Sequence, residues 1–355
     1  MRVALIKTGA LGDVVRTTAL LPGLRRLDPK LELTWITAPG ALELVQGHPD
    51  VLRAVVIDDD PDAAWRHERY DWLLSLDDDV EACRLASQLG AARLSGAYET
   101  PQGERRYTAD LEPWFGMGIL RPRELGGLDE ANALKKRNAK TVATIFYETL
   151  GLPFPVGRPY VGLAARYIEA ARRLLANLGL SGGSPLIALN TGAGARWEFK
   201  SWGEDQTAEL AQRLHDELGV GVLVLGGSAE RERNQRIVAR AGRSRVVEAP
   251  TNLELLAFTA LIGLCRVLVT SDSLALHLGT ALDMPVIAFF GPTSGAEIDV
   301  YGRGEKIITP LECRCCYLKT CDIRPHCMQS IGLPTLFEAV RHWLPQSRLP
   351  GDRTL

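Results

Sequence analysis

The sequence predicts an α/β protein made of two doubly wound domains, 1–160 and 161–355. Three observations carry this. Short apolar runs alternate with stretches of helical periodicity from the first residues to about residue 89, the alternation restarts at 185 beyond a proline-rich linker, and strands in both halves end in glycine-rich turns. A chain of 355 residues also exceeds one ordinary core.

Residues 3–6 are a continuous apolar run of the kind buried on both faces of a parallel sheet. Beyond the turn at 8–13, Val14, Val15, Ala19, Leu20, Leu24 and Leu27 recur at helical spacing. A strand at 31–37 and a short helix at 41–46 come next, followed by strands at 54–57 and 72–76 and a helix at 81–89. Residues 99–137, rich in Gly, Pro and Arg, break the rhythm and read as a long surface excursion. A helix at 140–150 closes the first domain, and the prolines of 151–159 mark the linker. An amphipathic stretch at 164–178 opens the second domain. Strands at 185–190, 221–225, 245–248, 267–270 and 285–290 then alternate with helices at 205–218, 230–241, 253–265 and 273–282, and a last helix lies near 336–344. Open α/β sheets bind ligands at the carboxyl ends of their strands, so two such domains predict a cleft enzyme with two substrates.

Composition narrows the function. Lys and Arg total 41 against 43 Asp and Glu, which excludes nucleic-acid binding driven by bulk positive charge. No apolar run reaches the roughly 20 residues that span a bilayer, and the first residues lack a signal peptide's apolar core. The expected location is the cytoplasm.

Four turns hold candidate chemistry. In the first, Gly9 and Gly12 permit a tight turn, and Asp13 falls at a helix start, where free N–H groups favour its ionised form. Asp13 is then either a helix-start carboxylate or a base for an attacking hydroxyl. The spacing is G-x-x-G and departs from the dinucleotide fingerprint, although Glu32 stands where that fingerprint's acidic residue would fall. In the second turn, Thr191 and Gly192 offer donors to phosphate oxygens, and Lys200 is either a surface lysine beside Trp202 or a charge for a leaving diphosphate. The third, Gly226-Gly227-Ser228-Ala229-Glu230, ends in a carboxylate suited to ribose hydroxyls or to a helix start. The fourth, Asp272-Ser273-Leu274-Ala275-Leu276-His277, opens a helix as an anion site would, with His277 one turn in.

Taken in order, the G-x-x-G-D helix start, the mid-chain glycine-rich turn before K-x-W, the G-G-S-x-E turn and D-S-x-x-x-H ahead of Phe290-Gly291-Pro292-Thr293 resemble glycosyltransferase family 9, the bacterial lipopolysaccharide heptosyltransferases. The resemblance implies the GT-B fold, two Rossmann-like domains facing a central cleft, with the acceptor on the N-terminal domain and the nucleotide sugar on the C-terminal one. It implies an inverting transfer of heptose, or a related sugar, from an ADP-activated donor to a lipopolysaccharide inner-core acceptor, with no cofactor required for catalysis. Asp13 matches the family's general base, and Gly9 and Gly12 its turn. Thr191, Gly192 and Lys200 match the segment contacting the donor diphosphate, and Glu230 the ribose-binding glutamate. Asp272, Ser273 and His277 match the element around diphosphate and sugar, while Leu274 stands where the family has Gly. The implied partners are a nucleotide-sugar donor and a lipid-linked or saccharide acceptor, with peripheral contact at the cytoplasmic face of the inner membrane and no nucleic acid.

The chain has 7 cysteines, and five lie between Cys313 and Cys327. Cys313, Cys316, Cys321 and Cys327 have spacing that suits a structural zinc or iron–sulfur centre, and reduced thiols are the alternative. Rival readings of the whole chain are a nucleotide-sugar epimerase or NAD-linked oxidoreductase on a double Rossmann plan, and a non-catalytic metal or redox module.

Overall fold

The computed structural model describes residues 1–58, 60–181, 183–194, 198–318 and 320–345. The chain forms two compact units. One comprises Met1–Gly162 with Ala296–Asp299, the other Leu163–Gly295 with the chain from Val300 on.

The first unit holds β1 (Arg2–Ile6), β2 (Glu32–Thr37), β3 (Arg53–Val56), β4 (Arg69–Ser75), β5 (Gly90–Glu99) and β6 (Arg105–Tyr107). They form one sheet in the order β3-β2-β1-β4-β5-β6. All pairs are parallel except β5 with β6. Central β1 pairs Leu5 with Trp35 on one side and Leu74 on the other. Val3, Ala4, Leu5 and Ile6 are fully buried, as a strand covered on both faces requires.

The second unit repeats the plan with β7 (Leu186–Asn190), β8 (Gly221–Leu225), β9 (Val246–Glu248), β10 (Val267–Ser271), β11 (Val286–Phe290) and β12 (Gly304–Ile308). Here every pair is parallel, in the order β12-β11-β10-β7-β8-β9. Counted within each unit, both sheets have the strand order 3-2-1-4-5-6, the doubly wound Rossmann arrangement. In that arrangement the chain reverses direction of travel between the first and fourth strands. Ligand sites are therefore expected at the carboxyl ends of β1 and β4, and of β7 and β10. Helices Glu204–Leu218 and Leu333–Trp343 cover one face of the second sheet, burying Leu214, Leu336, Phe337 and Val340 against Val222, Val269 and Phe289.

Two readings from sequence need correction. Residues 99–137 are not a bare loop: they carry β6 and the helices Glu112–Phe115 and Gly127–Arg137. The strands β5 and β12 also went unread. Their sequences, rich in Gly, Ala, Arg and Lys, have low strand propensity, and pairing with β4 and β11 overrides it.

Candidate functional site

In the first unit, β1 ends at Ile6 and the chain turns through Thr8 and Gly9 into the helix Leu11–Thr17. A side chain at Gly9 would meet nothing within 4 Å, so the glycine leaves open space at the strand end, while Gly12 is buried in the helix. Asp13 lies in the helix's first turn, where its N–H donates to the Ala10 carbonyl at 2.8 Å. Its carboxylate sits 3.0 Å from the Arg16 guanidinium. Arg16 in turn lies over the Trp114 ring, 5.6 Å from its centroid.

In the second unit, the expected residues gather at the carboxyl ends of β7, β8 and β10. Asn190 and Thr270 are register partners. The Asn190 amide Nδ2 donates to the Gly192 carbonyl (2.8 Å), to Thr270 Oγ1 (3.0 Å) and to Ser273 Oγ (3.2 Å), tying the two strand ends together. Thr191 Oγ1 donates to Asn234 Oδ1 at 2.6 Å, and Arg233 donates to the Thr191 carbonyl. A Cβ on Gly192 would lie 3.3 Å from Glu230 Oε2, so glycine keeps this turn against Glu230. Glu230 also accepts from the Gly227 N–H at 2.8 Å. It is therefore a turn-stabilising carboxylate as well as a ribose candidate. Residues 195–197 of the second turn lie outside the described residues.

Lys200 and Asp272 form the centre of this cluster. Lys200 Nζ lies 2.8 Å from Asp272 Oδ2 and 3.3 Å from the Asp272 carbonyl, with both side chains largely buried. Burial opposes charge on Asp272, but Lys200, aided by His277 and Thr293, outweighs it and holds the carboxyl below the usual range. Ser273 precedes the helix Leu274–Ala281 and pairs its hydroxyl with Thr270 Oγ1 at 2.8 Å. Leu274 opens that helix, where right-handed backbone does not require a glycine. His277 is 6% exposed and close enough to Asp272 to favour its ionised form.

Sequence reasoning did not assign Asn190, Arg233, Asn234 or Thr293. Asn190 left a signal as a polar residue closing an apolar strand, and Thr293 as the end of the turn after Phe290.

The four expected metal ligands are not assembled in this structure. Among the described residues, no group of three His, Cys, Asp or Glu side chains is placed to hold a metal ion, and none of the seven cysteines forms a disulfide. Cys327 is instead committed to packing. A Cβ on Gly291 would lie 2.5 Å from Cys327 Sγ and 2.8 Å from Met328 Sδ, so these sulfurs fill the space above the glycine. Burial first, then the nearby Cys316, Cys313 and Cys321, push the Cys327 thiol up to about 11. The segment also ties to the turn after β11, where Cys315 N–H donates to the Gly291 carbonyl and Tyr317 N–H to that of Pro292, each at 2.9 Å. Towards the Lys200 turn, His326 meets the Phe199 ring edge-on at 5.3 Å, and Trp202 Nε1 donates to the Ile331 carbonyl at 3.1 Å.

The chain is similar to known proteins over most of its length. Lipopolysaccharide heptosyltransferase 1 of Pseudomonas aeruginosa is 26% identical over 349 residues, covering 92% of this chain and 88% of that protein. Two solved structures share the fold. A family 9 glycosyltransferase from Veillonella parvula superposes with a TM-score of 0.75 at 18% identity, over 98% of this chain and 97% of that one. The E. coli ADP-heptose LPS heptosyltransferase II does so at 0.70 and 20% identity, over 98% and 99%. The GT-B architecture of those neighbours is the architecture of this chain. The sequence model of glycosyltransferase family 9 (heptosyltransferase) matches residues 132–326, more than half of the chain, and the protein belongs to that family.

Proposed function

We propose that the protein transfers a heptose from an ADP-activated donor to a sugar of the lipopolysaccharide inner core, inverting the anomeric carbon. The first unit holds the acceptor and the second the nucleotide sugar. The reading is supported by family membership and by relatives whose names specify ADP-heptose and lipopolysaccharide. The observation that carries it is the Lys200–Asp272 pair at the point where β7 and β10 diverge, beside a glycine-rich strand end. Family membership favours transfer over the epimerase, oxidoreductase and non-catalytic readings.

The step follows from the groups present. The Asp13 carboxylate accepts the proton of the acceptor hydroxyl, whose oxygen bonds to the anomeric carbon from the face opposite the diphosphate. The bond from that carbon to the diphosphate oxygen breaks. Lys200 and the N–H groups near Ser273 take up the charge left on the diphosphate. Gly192 leaves room for the donor, and Glu230 accepts from its ribose hydroxyls. Asp272, released by Lys200, faces the sugar with His277 behind it. These groups complete the step without a cofactor. A structural metal on Cys313, Cys316, Cys321 and Cys327 would have to draw the thiols together, and would leave the transfer step unchanged.

No described helix is long and apolar enough to cross a membrane. Leu125 and Leu128 of the first unit are more than half exposed, and Arg123, Lys136 and Arg137 are exposed close by in sequence. We assign this segment to peripheral contact with an anionic membrane surface on the cytoplasmic side.

The test of the base is Asp13→Asn. It is expected to retain thermal stabilisation by ADP and lose turnover by roughly 10²–10⁴-fold. Near-normal turnover would remove Asp13 from the mechanism. The donor is tested by comparing ADP-, GDP- and UDP-sugars for thermal stabilisation. The true donor at 100 times its Kd adds about 2.7 kcal/mol.

A further inference from the structure

The turn that carries Asp13 is anchored from outside itself. β1 and β4 are neighbours, and the Leu76 N–H still donates to the Ile6 carbonyl at 2.9 Å, so the two strands leave the sheet side by side. Asp77 follows at once, and its Oδ2 atom receives the Thr8 N–H (2.9 Å), the Gly9 N–H (3.0 Å) and the Thr8 hydroxyl (2.8 Å). The Lys7 ammonium lies 3.1 Å from the same oxygen, and the side chains of Lys7 and Asp77 are only 10% and 12% exposed. Three consecutive residues of the turn thus converge on one carboxylate oxygen. The neighbouring Asp79 is occupied elsewhere as well: it accepts from the Ala82 N–H at 2.9 Å at the start of the next helix, and shares the Thr8 hydroxyl at 2.9 Å.

The consequence runs along the chain to Asp13. Ala10 follows Gly9, and its carbonyl accepts from the N–H groups of Asp13 (2.8 Å) and Val14 (3.0 Å). The place of Ala10 therefore sets where the helix starts, and Asp13 projects from its first turn. Resting on the reading of Asp13 as the base, we propose that Asp77 is a positioning residue that fixes Asp13 for the acceptor hydroxyl by clamping Lys7, Thr8 and Gly9. A carboxylate suits the task because it accepts only, and every group bonded to this oxygen donates. An amide would turn an NH₂ towards some of those donors and leave the Lys7 charge without its partner.

The test is a double-mutant cycle on turnover in the full-length protein, with ADP-heptose and an inner-core acceptor, across wild type, Asp13→Asn, Asp77→Asn and the double variant. Asp77→Asn is expected to lower kcat by about 10–100-fold, the scale of a displaced catalytic group. The donor KM is expected to stay within about twofold, since the change touches position and not donor binding. A residue that acts only through Asp13 costs nothing once Asp13 is gone, so the double variant should turn over no more slowly than Asp13→Asn. A merely structural role would instead lower turnover by the same factor in both backgrounds, and that result overturns the proposal. So does normal turnover in Asp77→Asn when Asp13→Asn is severely impaired. Near-normal turnover in Asp13→Asn removes the base assignment itself, and the proposal with it. If Asp77→Asn fails to fold, Thr8→Val replaces it in the same cycle. Thr8→Val removes one donor without stranding a charge, and the same loss of effect in the Asp13→Asn background is required of it.

Discussion

Lys200 is assigned to a leaving diphosphate, yet in this structure it neutralises Asp272. Both roles can be read from one set of variants. Removing either partner leaves the other largely buried without its opposite charge, which costs up to about 3–5 kcal/mol, whereas removing both charges together is nearly neutral. Lys200→Met and Asp272→Asn are each expected to lower the melting temperature, and the double variant to recover it. Turnover should not recover, because the transition-state charge on the diphosphate then lacks its cation, a loss of roughly 10²–10³-fold. Recovery of both stability and turnover would reduce Lys200 to a structural role. His48 supplies a pH-dependent contribution to stability away from the chemistry. Burial, opposed only partly by Asp50, pulls its pKa down to about 4, and its Nδ1 accepts from the Asp50 N–H at 3.0 Å, which requires an unprotonated nitrogen. The folded pKa lies below the unfolded one, so the unfolded chain binds the proton first. Stability is full above about pH 6.5 and is lost as pH falls towards 4, by about 3 kcal/mol in all. His48→Gln should flatten melting temperature against pH over that window. At this scale the sequence showed Lys200 and Asp272 as members of separate motifs. Their pairing was not legible, because it depends on which strand ends the topology brings together. The same is true of Asp77, which a linear reading sees only as one of three consecutive aspartates.

Strands with continuous apolar runs, such as β1, β7 and β10, were legible because burial on both faces dictates their composition. β5 was not, since its ladder with β4 holds it while polar Arg93 and Ser95 bond to Asp110. The cysteine segment was legible in composition, whereas its packing against the turn after β11 was not. Four thiols at metal-like spacing suggest a common ion, but the segment sits on the turn after β11, with Cys327 packed over Gly291. Gly291→Ala therefore pushes a methyl into two sulfurs and should destabilise the protein by about 1–3 kcal/mol in thermal or denaturant unfolding. Thiol accessibility tests the arrangement directly. Cys83, Cys265 and Cys327 are buried, and burial drives the Cys83 and Cys327 thiols up to about 12 and about 11. Cys313, Cys315, Cys316 and Cys321 are partly exposed. Native protein titrated with an aromatic disulfide reagent should release four equivalents quickly and the other three only on unfolding. A closed thiolate–metal site would instead protect four of the clustered thiols and yield about one metal per chain.

At the scale of the whole molecule, the two sheets share one strand order although their sequences show no repeat, and each puts its candidate residues where that order reverses. The alternation of apolar runs and helical periods made that plan legible, because parallel strands must be joined by crossovers. The excursion at 99–137 fell outside the plan. Its helix Gly127–Arg137 keeps Ala131 buried while Leu128 stays exposed, so composition alone could not separate helix from loop. This asymmetry is also what a molecule working on a lipid-borne acceptor needs: apolar side chains to enter the headgroup layer and cations to meet its phosphates. Each exposed Lys or Arg near an anionic surface contributes about 1 kcal/mol at low salt, and the attraction fades over a Debye length of roughly 8 Å at physiological ionic strength. The protein should therefore co-sediment with vesicles containing phosphatidylglycerol and much less with purely zwitterionic ones, and salt should release it. Leu125→Asp with Leu128→Asp should abolish co-sedimentation while leaving transfer to a soluble, lipid-free acceptor intact, since neither residue belongs to the candidate site. Binding that ignores lipid charge, or that survives both substitutions, would overturn the assignment of this segment to a membrane surface.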